Sequence, residues 1–397
     1  MSKLFDRRVL TPFAIQLIAV LALIECMRGA LLLAVLPLYI VKYLGLAKTI
    51  SGAALSVHYL LDNLLRSPAG WIVDRFGQRK VLLCGLAITI AGLWGLHSAH
   101  TALSVIAWAG LLGVGLSPLW PAVISGCTAA IRDEDRGSMM GIIFMAWLSG
   151  AGIGIVGANL LLGASYTPVF IGMAIAAAAA LAATVFLRKP NTLVHPLLPF
   201  KMTSYFKNLL RDLGEIKSLF PGMFAQTFSL GLLIPILSIY AEEVLGLTTK
   251  TYSYILLLAG SVAFVLLLPI GRLVDRFGPK RFLVSGFVMA SLLLAILPST
   301  RHILYVFIVI SALAGAYALI LPSWNSLLDR AISPERKGTI WGVFMTIEGL
   351  GTATGPIVSG KLYDAFGPAA PFYASASVIG VLSIIYWLVP VARVKMR

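Results

Sequence analysis

The residues of this sequence that could do chemistry are ionisable side chains set inside long apolar runs. Glu25 and Arg28 stand three residues apart in one such run, so on a helix they share a face. In the next run His58, Asp62 and Arg66 recur every four residues, with Asn63 adjacent. Ionisable groups are costly in apolar surroundings and mark functional positions by default. A carboxylate opposed by a guanidinium can load and release a proton, or bond a polar headgroup. His58 beside Asp62 suits either use. A second reading is a self-neutralising structural lock of two acids and two bases. Such a lock stabilises poorly once desolvation is counted. Arg66 can also snorkel to an interface. The second half of the chain offers one residue of this kind, Glu348.

Tryptophans accompany these groups. Trp120 follows Pro118, Trp147 lies in the next apolar run, and Trp324 follows Pro322 as a second-half counterpart of Trp120. An indole in mid-span serves packing, or it lines a cavity, stacking on a sugar ring while donating one hydrogen bond. Gln226, Trp324, Asn325 and Glu348 are the polar candidates of a second-half cavity.

The elements that position these residues are membrane helices. Of 397 residues 59% are hydrophobic and only 12% charged, a composition that no soluble core could hide. Apolar runs long enough to cross a bilayer fall near Phe13–Ile40, Ile50–Val73, Val81–Leu96, Ala102–Ala130, Ser138–Leu162 and Pro168–Leu187, and then near Phe220–Tyr240, Tyr252–Val274, Phe282–Pro298, Ile303–Leu328, Thr339–Leu362 and Phe372–Val391. This predicts an all-α membrane protein of twelve spans in two six-helix bundles, residues 1–187 and 220–397. A basic cytoplasmic linker, 188–219, joins them, and its Phe200–Leu219 part could form an amphipathic surface helix.

The net charge of +15 would suggest nucleic acid in a soluble protein, but its distribution says otherwise. With both termini cytoplasmic, twenty-four of the 31 Lys and Arg residues fall inside. Only Lys42, Lys48, Lys250, Arg301 and Lys361 fall outside. This is the positive-inside rule, and no nucleic-acid partner is expected. Cys26, Cys84 and Cys127 are odd in number, far apart and set in apolar stretches, which supports neither disulfides nor zinc. Met1–Arg8 is basic, but the apolar run behind it is too long for a signal h-region, so no cleaved signal is expected.

The two halves repeat. The run from Gly70 through Asp74, Arg75, Gly77 and Arg79 to Lys80 reappears from Gly271 through Asp275, Arg276, Gly278 and Lys280 to Arg281, at an offset of 201 residues. The same offset relates Gly45 to Gly246, Gly137 to Gly338, Gly141 to Gly342 and Gly154 to Gly355. Parallel repeats of this kind mark a transporter with its site between the halves. Positive-inside charge explains the loop cations but not the repeated Asp and the two repeated glycines. Arg132, Arg136, Arg330 and Arg336 are basic candidates to meet Asp74 and Asp275. The helix of Gly351, Gly355, Pro356 and Gly360 fits either static packing or a moving gate.

Nucleotide chemistry is excluded. Gly152, Gly154 and Gly157 fit G-x-G-x-x-G but sit inside an apolar span with no preceding strand, so they read as a small-residue packing stripe. Gly355–Lys361 approaches a phosphate loop, but Leu362 stands where the magnesium-holding hydroxyl belongs. Hydrolase motifs G-x-S-x-G and H-E-x-x-H are absent from the sequence. The chain is therefore not expected to be an enzyme or to need a cofactor; its energy source is expected to be a proton gradient.

On the doubled loop motif the chain resembles the major facilitator superfamily. That resemblance implies two six-helix bundles alternating access to a central cavity, with Gly70, Asp74, Arg75, Gly77, Arg79 and Gly271, Asp275, Arg276, Gly278, Lys280 as the gating motif. Further runs stand out: Ile24-Glu25 with Arg28-Gly29, Ser56-Val57-His58 with Asp62, Ser117-Pro118 with Trp120, Trp147 with Gly150, Phe220-Pro221-Gly222 and Leu321-Pro322-Ser323-Trp324-Asn325. They are similar to the proton-coupled glycolipid flippases of lipoteichoic-acid assembly. This implies an antiporter in a bacterial cytoplasmic membrane, acting as a monomer on a diglucosyl-diacylglycerol-type lipid. Glu25, Arg28, Asp62, Trp120 and Trp147 would be the headgroup and coupling residues, with His58 beside them. In two respects the sequence departs from those flippases: Glu348 is an acid where a neutral amide is expected, and Asp74-Arg75 follows the wider superfamily pattern. The rival reading is a proton-driven exporter of drugs or other small molecules with the same fold. A non-transporting receptor or scaffold is the reading from another class.

Overall fold

The computed structural model describes residues 11–129, 136–162, 165–188, 219–299, 301–331 and 337–388. Among them helix follows helix. The first six are α1 (Pro12–Tyr43), α2 (Lys48–Phe76), α3 (Gln78–His97), α4 (Ala102–Thr128), α5 (Arg136–Leu161) and α6 (Thr167–Val185). The next six are α7 (Phe220–Glu243), α8 (Thr249–Phe277), α9 (Pro279–Ile296), α10 (Ile303–Ala331), α11 (Lys337–Phe366) and α12 (Ala370–Leu388). Ten of these runs are long and apolar enough to cross a membrane. Over their described residues α2 and α11, the helices that carry Asp62 and Glu348, are not among these ten. The predicted linker helix lies outside the described residues.

Local sequence explains where helices start and break. Thr11 caps α1 by accepting the Ala14 amide, and Pro12 sits at its first turn, where the missing N–H is not needed. Thr101 and Ser104 close a capping box on α4. That helix is interrupted at Ser117-Pro118 and resumes at Leu119, because Pro118 has no N–H for the ladder. Pro322 leaves α10 unbroken, so the paired Pro-x-Trp runs have different backbones. In α1 the helix widens to π turns at Ala30–Val35, two residues beyond Arg28, and again at Tyr39–Tyr43. π turns cluster at functional positions.

The repeat persists in backbone geometry. Gly77 and Gly278, which separate α2 from α3 and α8 from α9, have φ of 83° and 86°. Only glycine adopts that conformation readily. Pro68 and Pro269 also occupy equivalent places inside α2 and α8.

The chain forms two compact units, Met1–Leu46 with Val57–Phe200, and Ala47–Ser56 with Lys201–Arg397. In the first, α1 is the buried centre: Leu17, Val20, Leu21 and Ile24 are wholly buried. In the second, Met223, Phe287, Trp324, Phe344 and Tyr386 share one core. The start of α2 belongs to this second unit. There Thr49 donates its amide and hydroxyl to Asp364 at 2.8 and 2.6 Å, and Lys48 pairs with Glu243 at 3.5 Å.

Candidate functional site

Close helix packing in the first unit assembles the site. A Cβ on Gly154 of α5 would run into the Cys26 carbonyl of α1, and one on Gly150 would meet the Ala22 carbonyl. These glycines let α5 lie directly on α1, beside Glu25 and Arg28. Gly113 of α4 does the same against the backbone of His58 and Asp62 in α2. Four helices, α1, α2, α4 and α5, thereby converge on one set of polar side chains.

Asp62, fully buried, is the hub. Its Oδ2 accepts from the guanidinium of Arg28 at 2.7 Å and from that of Arg66 at 2.8 Å. Arg28 also stands 3.6 Å from Glu25. Glu25, 2% exposed, accepts the indole N–H of Trp120 at 3.1 Å. With all four ionised, two carboxylates face two guanidiniums and the network is neutral. Charges buried in this way persist when each is paired and hydrogen-bonded. Trp147 meets Trp120 edge-on with centroids 6.2 Å apart, and Phe144 lies 5.9 Å from Trp120 and 6.4 Å from Trp147. An aromatic wall therefore stands beside the Glu25 end of the network.

Glu25, Arg28, Asp62, Trp120 and Trp147, singled out from sequence, come together here. His58 is wholly buried, and its Nδ1 meets the Ala109 carbonyl of α4 at 3.1 Å, while its Nε2 has no partner. Its ring thus engages α4 backbone and makes no hydrogen bond to Asp62. Arg66 grips Asp62 rather than lying free at an interface. Tyr59, whose ring stands 5.4 Å from His58, and Phe144 were missed in the sequence. Their only signal was spacing: Tyr59 follows His58 directly, and Phe144 precedes Trp147 by one helical turn.

In the second unit Trp324, 5% exposed, donates its indole N–H to Glu348 at 3.3 Å. Gln226 bonds the Gly222 carbonyl of its own helix at 3.1 Å, and Asn325 is exposed. These two do not join the Trp324–Glu348 pair.

The loop motif caps α2 and α8. Asp74 and Asp275 are exposed, and neither makes an ion pair among the described residues. Arg75 lies over the rings of Trp71 and Phe76 at 5.4 and 5.6 Å, and Arg276 lies over Phe277 at 5.2 Å. A Cβ on Gly70 would touch Pro121, whereas one on Gly271 would meet open space. Arg79 is exposed, and Lys280 borders a cavity of about 600 Å³ with Arg281 and Trp387. The side chains of Arg132, Arg136, Arg330 and Arg336 lie outside the described residues.

Comparison with known proteins agrees with this architecture. The profile of the Major Facilitator Superfamily matches residues 18–213 and 219–397. A protein of Staphylococcus haemolyticus called proton-coupled antiporter flippase LtaA is 28% identical over 97% of this chain and 96% of its own length. Proteins of the same name from Staphylococcus saprophyticus and Staphylococcus aureus are 29% and 26% identical, each over 94% of this chain and 93% of theirs. Among solved structures, a bacterial homologue of the human lysosomal transporter Spinster superposes with a TM-score of 0.79 at 16% identity, covering 97% of this chain and 98% of its own. The nucleoside transporter NupG superposes with a TM-score of 0.74 at 17% identity, covering 95% and 98%. These structural likenesses speak to the fold alone.

Proposed function

The chain belongs to the major facilitator superfamily, and we propose that it is a proton-coupled flippase for a glycosylated diacylglycerol in a bacterial cytoplasmic membrane. The observation that carries this reading is the division of polar groups between the units. The first gathers Glu25, Arg28, Asp62 and Arg66 into one network walled by Trp120 and Trp147. In the second, the Trp324–Glu348 pair borders an apolar core. A sugar headgroup finds hydrogen-bond partners in the first unit's network, whose polar groups a plain acyl chain would desolvate without replacing their partners. A compact drug needs no such division. The likeness to flippases named LtaA over nearly the whole chain supports the same substrate class. A proton gradient drives the cycle, with the first-unit carboxylates as its carriers.

The test is reconstitution into proteoliposomes with a fluorescent diglucosyl-diacylglycerol and an imposed pH gradient. Gradient-dependent flipping is expected. Movement of soluble cationic dyes with the glycolipid left in place would make the protein a drug exporter. Trp120→Ala is expected to lower the preference for glycosylated over plain diacylglycerol, roughly tenfold, by removing one stacking face and one indole donor. Equal loss for both lipids would assign Trp120 to packing.

The gating motif gives a separate expectation. Asp74 sits at the end of α2 in a loop whose other charges are cations, so its carboxylate is the group a basic partner or helix terminus can hold. Asp74→Asn is expected to slow turnover and raise cysteine labelling on the cytoplasmic side, by shifting the balance of states while leaving the fold intact. Unchanged transport and labelling would remove Asp74 from the gate.

A further inference from the structure

The two halves carry the same three-part cluster with its acid on opposite helices. Glu25 of α1 and Gln226 of α7 are equivalent under the 201-residue offset, as are Trp147 of α5 and Glu348 of α11. The helix pairs themselves are packed alike. Gly150 and Gly154 seat α5 on α1, and their counterparts Gly351 and Gly355 seat α11 on α7, against Phe224, Phe228 and Gly231. Each cluster also has a tryptophan two residues after a proline, Trp120 or Trp324, that donates its indole N–H to the one glutamate present. In the first half that glutamate is on α1, and the α5 position holds the aromatic Trp147. In the second it is on α11, and the α7 position holds an amide.

Their electrostatic settings differ. Glu25 has Arg28 at 3.6 Å, inside a network with as many guanidiniums as carboxylates. Glu348 has no ion pair among the described residues. Helix α7 brings Gln226 but no ionisable side chain over Phe220–Leu233. From α10 the titratable neighbour is Tyr317, and α12 contributes Tyr386 against the far side of Trp324. A carboxylate without a cation in apolar surroundings is stable only with another source of neutralisation. The indole occupies Oε1, leaving Oε2 open.

We infer that Glu348 is a second proton-binding site, independent of the Asp62 network, with Trp324 as its positioning residue. Oε2 takes a proton from water when the site is wet and returns it to water on the other side of the membrane; no other bond changes. The inference rests on reading the chain as proton-coupled, and it adds a second carrier in the half that otherwise has none. Substrate moves with two separate titrating clusters, so each can respond to a different step of the cycle.

Protonation is read directly by pH-difference infrared spectroscopy on the purified full-length protein in detergent without substrate. The wild type is expected to show a pH-dependent carboxylic C=O band that Glu348→Gln removes and Glu348→Asp retains at a shifted frequency. Trp324→Phe is expected to move the same band to higher frequency, because the C=O loses its donor. A Glu348→Gln spectrum identical to wild type at every pH would overturn the inference. So would the loss of every pH-dependent carboxylic C=O band on Glu25→Gln, with Glu348 left in place. In proteoliposomes, Glu348→Gln is expected to slow gradient-driven transport, less than Glu25→Gln does, and to make its rate respond less steeply to outside pH; an unchanged steepness would overturn the site. Because the infrared readout needs no transported lipid, it stands even if glycolipid flipping is not observed, an outcome that would overturn only the proposed substrate.

Discussion

Glu25→Gln is expected to abolish pH-gradient-driven transport while leaving the protein folded. The amide is nearly the same size, and its oxygen still accepts the Trp120 indole N–H that Glu25 now takes at 3.1 Å. What it loses is the negative charge facing Arg28 and the ability to bind a proton. Asp62→Asn should stop transport as completely but also weaken the fold. Asp62 is fully buried and holds both Arg28 and Arg66. Removing its charge leaves two guanidiniums facing one remaining carboxylate, a cost on the order of 3 kcal/mol for a buried pair, less here because Arg66 remains partly exposed. Adding Arg66→Gln to Asp62→Asn restores neutrality and is expected to recover thermal stability without recovering transport. The measurements are flipping rate under an imposed gradient and melting temperature in detergent for the same four proteins. Transport by Glu25→Gln and the double variant at wild-type rates would show that the network is a structural lock.

That network was largely legible in the sequence, because helical spacing fixes which residues of one helix share a face. Glu25 with Arg28 on α1, and Asp62 with Arg66 on α2, need only the 3.6-residue period. That Arg28 opposes Asp62 as well as Glu25 was expected from the balance of two acids and two bases, but that both guanidiniums would meet one oxygen of Asp62 is encoded by no local pattern. His58 shows the limit most plainly. Its place on the same face as Asp62 is correct, yet its ring bonds the Ala109 carbonyl because Gly113 brings α4 close enough to offer one. The π turns after Arg28 were likewise invisible, since Ala30–Val35 is ordinary helix-forming sequence. The proline pair was half legible. Pro118 and Pro322 occupy matching runs, but only the first breaks its helix.

The fold was more legible than the site because its signals are long. Apolar runs set by bilayer thickness and a 201-residue register survive errors of several residues at every boundary. The repeat even carried backbone conformation, as the left-handed Gly77 and Gly278 show. It did not carry side-chain chemistry: the acid of one half is matched by an amide in the other. Divergence between halves is therefore where coupling chemistry is to be sought.

The Gly152, Gly154, Gly157 run provides the sharpest test of what small residues do in this chain. A nucleotide-binding loop would need all three; a packing stripe needs only those that face a neighbour. A Cβ on Gly152 or Gly157 would meet nothing within 4 Å, whereas one on Gly154 would overlap the Cys26 carbonyl and press on the Ala30 amide. Both obstacles are backbone, and Ala30 opens the π-helical stretch of α1, so no side chain can turn aside to make room. Gly154→Val is therefore expected to force α5 away from α1, at a cost of about 3 kcal/mol or more, and to separate the aromatic wall from Glu25. Gly152→Ala and Gly157→Ala should leave stability within about 0.5 kcal/mol of wild type, since helix propensity favours alanine. Size-exclusion profiles and melting temperatures in detergent decide it. Equal damage from all three substitutions would mean that another surface covers Gly152 and Gly157, and a tolerated Gly154→Val would mean that α1 and α5 do not pack as described.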